Sequence, residues 1–281
     1  MSAEPRSWLF VPADSGRKVE KALASDADAV ILDLEDSVAP SRKLEAREWL
    51  KNLLPPRAER GPQRWVRVNP LDSADYRADL AACDSCDIDG LVLPKAETGA
   101  DVARLAADIV PRPWRIHAIV TETAASLFGL LSYRQSSPAL AAMSWGAEDL
   151  SAALGAASKY DADGSLGFTY RLARSLCLAG ASAAGVQAVD GVFADFRDEE
   201  GLRRETEAAA REGFTGKLAI HPAQVAVINA AFTPTPAEVE QARAIVAAFN
   251  ADPDAGVLSV DGRMVDRPHL VQAKRVLDRA R

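Results

Sequence analysis

Charged side chains recur wherever a short apolar run of the chain ends. Glu35 and Asp36 follow AVILDL, which carries Asp33 inside it, and Arg67 and Asn69 lie in WVRVN. Lys95 follows GLVLP, Glu122 follows IHAIV, Glu148 and Asp149 follow SWG, and His221 follows GKLAI. A hard divalent cation such as Mg2+ takes oxygen ligands, usually one or two protein carboxylates, with water and substrate completing the octahedron. Glu122 and one of Glu148 and Asp149 could supply that pair. Each also has a local reading: Asp149 can cap a helix and Glu122 can meet first-turn amides. Arg67 carries a planar fork that matches a substrate carboxylate, or an internal ion pair with Glu35 or Asp36. Lys95 could bind an anion, act as a base or join a salt-bridge network. His221 could touch a ligand or serve the turn that Pro222 begins. A histidine-based metal site is disfavoured, because His117 lies within an apolar run and His269 in the tail.

These residues share one rim only if the runs before them are parallel strands. Eight runs qualify: SWLFV, AVILDL, WVRVN, GLVLP, IHAIV, LAAMSWG, QAVDGV and GKLAI. Helical patterns intervene, among them RKVEKALAS, SRKLEAREWLKNL, ADYRADLAAC, GADVARLAADIV, FTYRLARSLCLAGASAA, EEGLRRETEAAAREG and PAQVAVINAAF. Such alternation predicts an α/β fold, a (β/α)8 TIM barrel over residues 1–234, with its chemistry at the C-terminal ends of the strands. No G-x-G-x-x-G follows any strand, which argues against an open dinucleotide-binding sheet. From Thr235 onward, TPAEVEQARAIVAAFNAD reads as an extra helix, followed by a hairpin-like turn and a last basic helix. Residues 235–281 are thus expected to form a C-terminal helical extension or lid outside the barrel, and LPPRAERGPQ a surface loop.

The 281 residues are 48% hydrophobic and 26% charged, the mix of a globular protein with ample core material. With 33 basic against 40 acidic residues the formal charge is −7, which argues against nucleic acid as a partner. No apolar run approaches the about 18 residues that cross a bilayer, and MSAEPRSWLF lacks a secretory pattern, so no membrane partner and a cytoplasmic location are expected. Cys83, Cys86 and Cys177 are too few for a four-ligand zinc site and read as reduced and structurally neutral.

Taken in order, RSWLFVPADS, AVILDLEDSVAPSRKLEAR, WVRVNP, GLVLPKAE, VTETAASL, MSWGAEDLSAALG, GKLAIHPAQV and DGRMVDRPHLVQA span nearly the whole chain. With these motifs the chain resembles the citrate lyase β-subunit-like enzymes of the HpcH/HpaI aldolase superfamily, a branch that includes malyl-CoA and citramalyl-CoA lyases. Ala13 departs from the glycine that many relatives carry after Pro12. The resemblance implies an Mg2+-dependent carbon–carbon lyase working by aldol or Claisen-type chemistry on a small hydroxy or keto acid. The acid is expected as a coenzyme A thioester such as malyl-, citramalyl- or citryl-CoA. It implies Glu122 and Asp149 as metal ligands, Arg67 as the group that holds the acid, and Glu35 and Asp36 as support through Arg67 or metal-bound water. It implies Asp266, from the tail of a neighbouring subunit, as acid/base in a homotrimer; as an alternative, Asp266 caps the helix that starts near Pro268. Gly146 would let backbone approach the small acid closely. Arg17, Lys18 and Lys21 could reach coenzyme A phosphates at a helix start, or form an ordinary solvated face. Two other functions compete: a coenzyme A-independent aldolase for pyruvate or oxaloacetate, and a subunit of a multiprotein, acyl-carrier-dependent citrate lyase.

Overall fold

The stretch AVILD, Ala29–Asp33, is buried at every position. A strand covered on both faces belongs to a sheet with helices outside and packing inside. In the structure, a computed structural model that describes residues 4–54, 57 and 61–280, it is the second of eight parallel strands. They are β1 (Ser7–Pro12), β2 (Ala29–Asp33), β3 (Gln63–Arg67), β4 (Gly90–Leu93), β5 (Arg115–Ile119), β6 (Leu140–Ser144), β7 (Gln187–Asp190) and β8 (Gly216–Ala219). Each pairs with the next in chain order, and β8 closes on β1, so the sheet is the expected closed barrel. β3 begins and ends two residues earlier than the run WVRVN. Its continuation is diverted because the Asn69 N–H goes to Asp79 Oδ2 at 2.8 Å and Pro70 has no N–H to give.

Around the barrel run α1 (Gly16–Leu23), α2 (Lys43–Leu53), α3 (Tyr76–Cys83), α4 (Gly99–Asp108), α5 (Ser126–Gly129), α6 (Ala147–Ala153), α7 (Phe168–Ala184), α8 (Glu199–Glu212) and α9 (Val225–Phe232). One apolar cluster fills the space between strands and helices, and a second, including Trp8, Ile31, Trp65, Val92, Val189 and Leu218, fills the barrel itself. Each such side chain removed from water contributes roughly 1.5–3 kcal/mol. Trp65 fits because its strand neighbour is Gly90, where a Cβ would lie 2.4 Å from the indole ring. His117 also points into this filled lower barrel, its ring 4.6 Å from that of Trp8, and burial lowers its pKa to about 3. With the interior plugged, space for a ligand lies above it, at the rim.

The chain then adds α10 (Pro236–Ala251), β9 (Val257–Val260), β10 (Arg263–Asp266) and α11 (Arg267–Arg279). Thr235 and Glu238 close a capping box at the start of α10. Asp261 and Gly262, at φ 52° and 76°, form the two-residue turn between the antiparallel strands. Ala242, Ile245, Phe249, Val265 and Ala273 give this extension a small core of its own.

The surface loop expected in LPPRAERGPQ lies largely outside the described residues; Arg57, which is described, pairs with Asp87 and Asp89. The three cysteines are free thiols. Among the described residues no helix is long and apolar enough to cross a membrane.

Candidate active site

β2 and β3 pair so that Asp33 stands opposite Arg67, the last residue of each strand. The two side chains meet as a fork: Arg67 Nε donates to Asp33 Oδ1 at 2.7 Å and Nη2 to Oδ2 at 2.6 Å. Glu35 Oε2 lies 2.8 Å from Nη1, and the Phe10 ring sits 4.8 Å from the guanidinium carbon. Arg67 is thereby held on two edges and one face. Burial alone would raise the Asp33 pKa, but the charge and hydrogen bonds of Arg67 hold it below its ordinary value. Asp33 also accepts the backbone N–H groups of Glu35 and Ser37, so it shapes the loop as well as the arginine.

Lys95, directly after Pro94, has φ 52°, in the left-handed region that costs a residue with a side chain on the order of 1–3 kcal/mol. That conformation aims its N–H at Glu122 Oε2, 2.5 Å away. Its ammonium contacts Glu35 Oε1 and lies 3.3 Å from Asp36 Oδ2 and 3.6 Å from Asp149 Oδ1. Glu122 is buried, and burial chiefly, offset by the Lys95 N–H and then reinforced by Asp149, pushes its pKa up to about 8. Its carboxylate packs against Gly146: a Cβ there would lie 2.8 Å from Glu122 Cγ. The close approach that requires glycine at this position is therefore made by Glu122. Asp149, in the first turn of α6, keeps its side chain 34% exposed, open to a ligand.

Five carboxylates, Asp33, Glu35, Asp36, Glu122 and Asp149, thus surround two cations, Arg67 and Lys95. Burial is the main cause of the raised pKa of Glu122, and the neighbouring carboxylates Asp149 and Glu35 add to it. Among the described residues no group of three or more His, Cys, Asp and Glu side chains is gathered to hold a metal. Two carboxylates suffice for an ion that keeps several waters, so Glu122 and Asp149 fit magnesium better than a metal needing a complete protein cage.

Other expected residues take different places. Asp36 does not pair with Arg67: the chain turns after Glu35, whose carbonyl accepts from Val38 N, and this throws the Asp36 carboxylate outward to Lys95. Glu148 points away to Lys159. His221 caps the short 3-10 turn Pro222–Gln224, accepting from Ala223 N at 3.2 Å, and stacks on Phe196 with ring centroids 4.6 Å apart. Arg17, Lys18 and Lys21 are exposed on α1, which follows the first barrel strand. Ala13 is fully buried, its N–H bonded to the Asp33 carbonyl at 3.0 Å, so its methyl joins the core.

Asp266 caps α11, accepting from His269 N at 3.4 Å, and its Oδ1 lies 2.5 Å from His269 Nδ1. The His269 hydrogen bond holds the Asp266 carboxyl below its ordinary pKa. Two partners of the site were not assigned from the sequence. Asp33 had a signal, a carboxylate inside an otherwise apolar run; the backbone of Lys95 had none.

Over 279 residues, 98% of this chain and 94% of the relative, the sequence is 40% identical to a (3S)-malyl-CoA thioesterase of Cereibacter sphaeroides. It is 33% identical over 295 residues to the mitochondrial citramalyl-CoA lyase of Rattus norvegicus, covering 97% of this chain and 85% of that one. A crystal structure of protein CitE from Mycobacterium tuberculosis, in complex with magnesium, acetoacetate and coenzyme A, superposes with a TM-score of 0.83 at 39% identity. That match covers 99% of this chain and 98% of the other. The sequence profile of the HpcH/HpaI aldolase/citrate lyase family matches residues 6–222, every barrel strand and the rim residues between them, and the chain belongs to that family.

Proposed function

We propose that the protein is a magnesium-dependent carbon–carbon lyase that cleaves or forms a bond in a small hydroxy acid carried as a coenzyme A thioester, such as malyl-, citramalyl- or citryl-CoA. The observation that carries this reading is the convergence of Glu122, Asp149, Arg67 and Lys95 on one rim of the barrel. Glu122 and Asp149 would hold the ion, which when bound supplies positive charge to an oxygen on which negative charge develops. Arg67 spends two of its five N–H groups on Asp33, leaving donors at the tip of the fork for the carboxylate of a glyoxylate- or pyruvate-like half. Because Asp33, Glu35 and Phe10 fix the guanidinium beforehand, little reorganisation is left for the reacting complex. The related CitE structure, in complex with magnesium, acetoacetate and coenzyme A, supports this choice of ligands.

Asp266 would protonate the enolate of the departing thioester, or deprotonate the thioester in reverse, from the tail of a neighbouring subunit in a homotrimer. In support, the extension builds its own core and leaves Val257, Met264 and Val271 exposed. Arg17, Lys18 and Lys21 are the candidates for the coenzyme A phosphates, and the cytoplasm is the proposed location. A second reading, hydrolysis of the thioester, is favoured by the 40% identity to a malyl-CoA thioesterase. The test is a screen of malyl-, citramalyl- and citryl-CoA with Mg2+, following keto acid: its release with one of them is expected, and no release with any would refute the lyase.

A further inference from the structure

Lys95 has a second relation to the two proposed metal ligands. Its backbone N–H is fixed on Glu122, and its ammonium reaches Asp149 Oδ1 at 3.6 Å while also touching Glu35 and Asp36. A point charge on a flexible stem can exchange such partners, which a rigid guanidinium cannot. Burial disfavours the charged lysine, but the Glu35 hydrogen bond and the surrounding carboxylates raise its pKa, so it stays an ammonium through the neutral range. An ion bound between Glu122 and Asp149 would stand against that like charge.

We infer that Lys95 is the internal counter-cation of the metal site: its ammonium neutralises Asp149 when no divalent ion is bound and withdraws to Glu35 and Asp36 when one binds. This rests on the reading of Glu122 and Asp149 as metal ligands. Lys95 thereby lowers metal affinity and stabilises the metal-free protein, two effects of opposite sign. A lysine that merely positioned the ligands would do the reverse to affinity, since its removal would loosen them. The withdrawal needs no change in the strand, because the partners that receive the ammonium are already within contact.

The test is a titration of the full chain with Mn2+, free ion being read by electron paramagnetic resonance, on wild type, Lys95→Met and Lys95→Gln. Both variants should bind Mn2+ roughly tenfold more tightly, through loss of the adjacent positive charge. Their metal-free melting temperatures should fall, and the rise on adding Mn2+ should be larger than in wild type. Equal or weaker Mn2+ binding in the variants, with wild type binding normally, would overturn the inference alone. Failure of wild type to bind Mn2+ at all would overturn the metal assignment and this inference with it.

Discussion

Asp33 and Arg67 end neighbouring parallel strands in direct register and join through two hydrogen bonds of 2.7 and 2.6 Å. The Arg67 guanidinium is thus set by the sheet itself, whose geometry is stiffer than any loop. Glu35, two residues beyond Asp33, adds its charge at Nη1, away from the edge that Asp33 holds.

Removing the charge from one partner tests how much this pair holds. Asp33→Asn is expected to destabilise the fold by about 3–5 kcal/mol, the usual cost of leaving a buried ion without its partner. Denaturant unfolding measures it, and a loss below about 1 kcal/mol would mean that Glu35 alone anchors Arg67.

Gly146 has φ −125°, ψ 117°, a conformation open to any residue, so Gly146→Ala isolates the collision with Glu122 Cγ at 2.8 Å. The displaced carboxylate should weaken Mg2+ binding by about 10–100-fold, the effect typical of disturbing the support of a metal ligand. Calorimetry of Mg2+ binding decides it, and an unchanged affinity would show that Glu122 is not a ligand.

The raised pKa of Glu122 makes metal-free stability depend on pH. Between the ordinary carboxylate pKa of 4.5 and the folded value of about 8, the folded chain holds the proton that the unfolded chain has lost. The Glu122 contribution is therefore fully present below pH 4.5, declines as pH rises to about 8 and is flat beyond, at most about 1.4 kcal/mol per pH unit. Melting of the metal-free protein against Glu122→Gln should show the gap between them change across this window. A parallel pair of curves would contradict it.

Asp266→Asn should stop exchange of the α-protons of acetyl-CoA with deuterated water while leaving Mg2+ affinity within about twofold, because Asp266 lies on the extension and not beside Glu122 and Asp149. Exchange at the wild-type rate would remove Asp266 from the chemistry and leave it a helix cap.

Much of this was legible in the sequence because the barrel repeats one rule: an apolar run ending in a charged residue. FTYRLARSLCLAGASAA coincides with α7 from end to end. The four-residue α5 was not foreseen, since it is a single turn and its Phe128 stays exposed, which breaks the amphipathic pattern that marks a helix. Asp33 and Arg67 could not be paired by counting along the apolar runs, because β3 starts two residues before WVRVN and only the observed register sets them side by side. The left-handed backbone of Lys95 could not be read either, because sequence patterns reserve that conformation for glycine and asparagine. Nor could the two roles weighed for His221 be separated without seeing Phe196 brought beside it from another loop.

The most direct test of the central claim follows keto acid and free thiol in the same reaction, with the full chain, the thioester that the screen selects, and Mg2+ or a chelator. The account predicts keto acid released together with an intact shorter thioester, no stoichiometric thiol, and loss of both on chelation or in Glu122→Gln. Free thiol appearing with the intact hydroxy acid, or keto acid released at the full rate in the chelator, would contradict it.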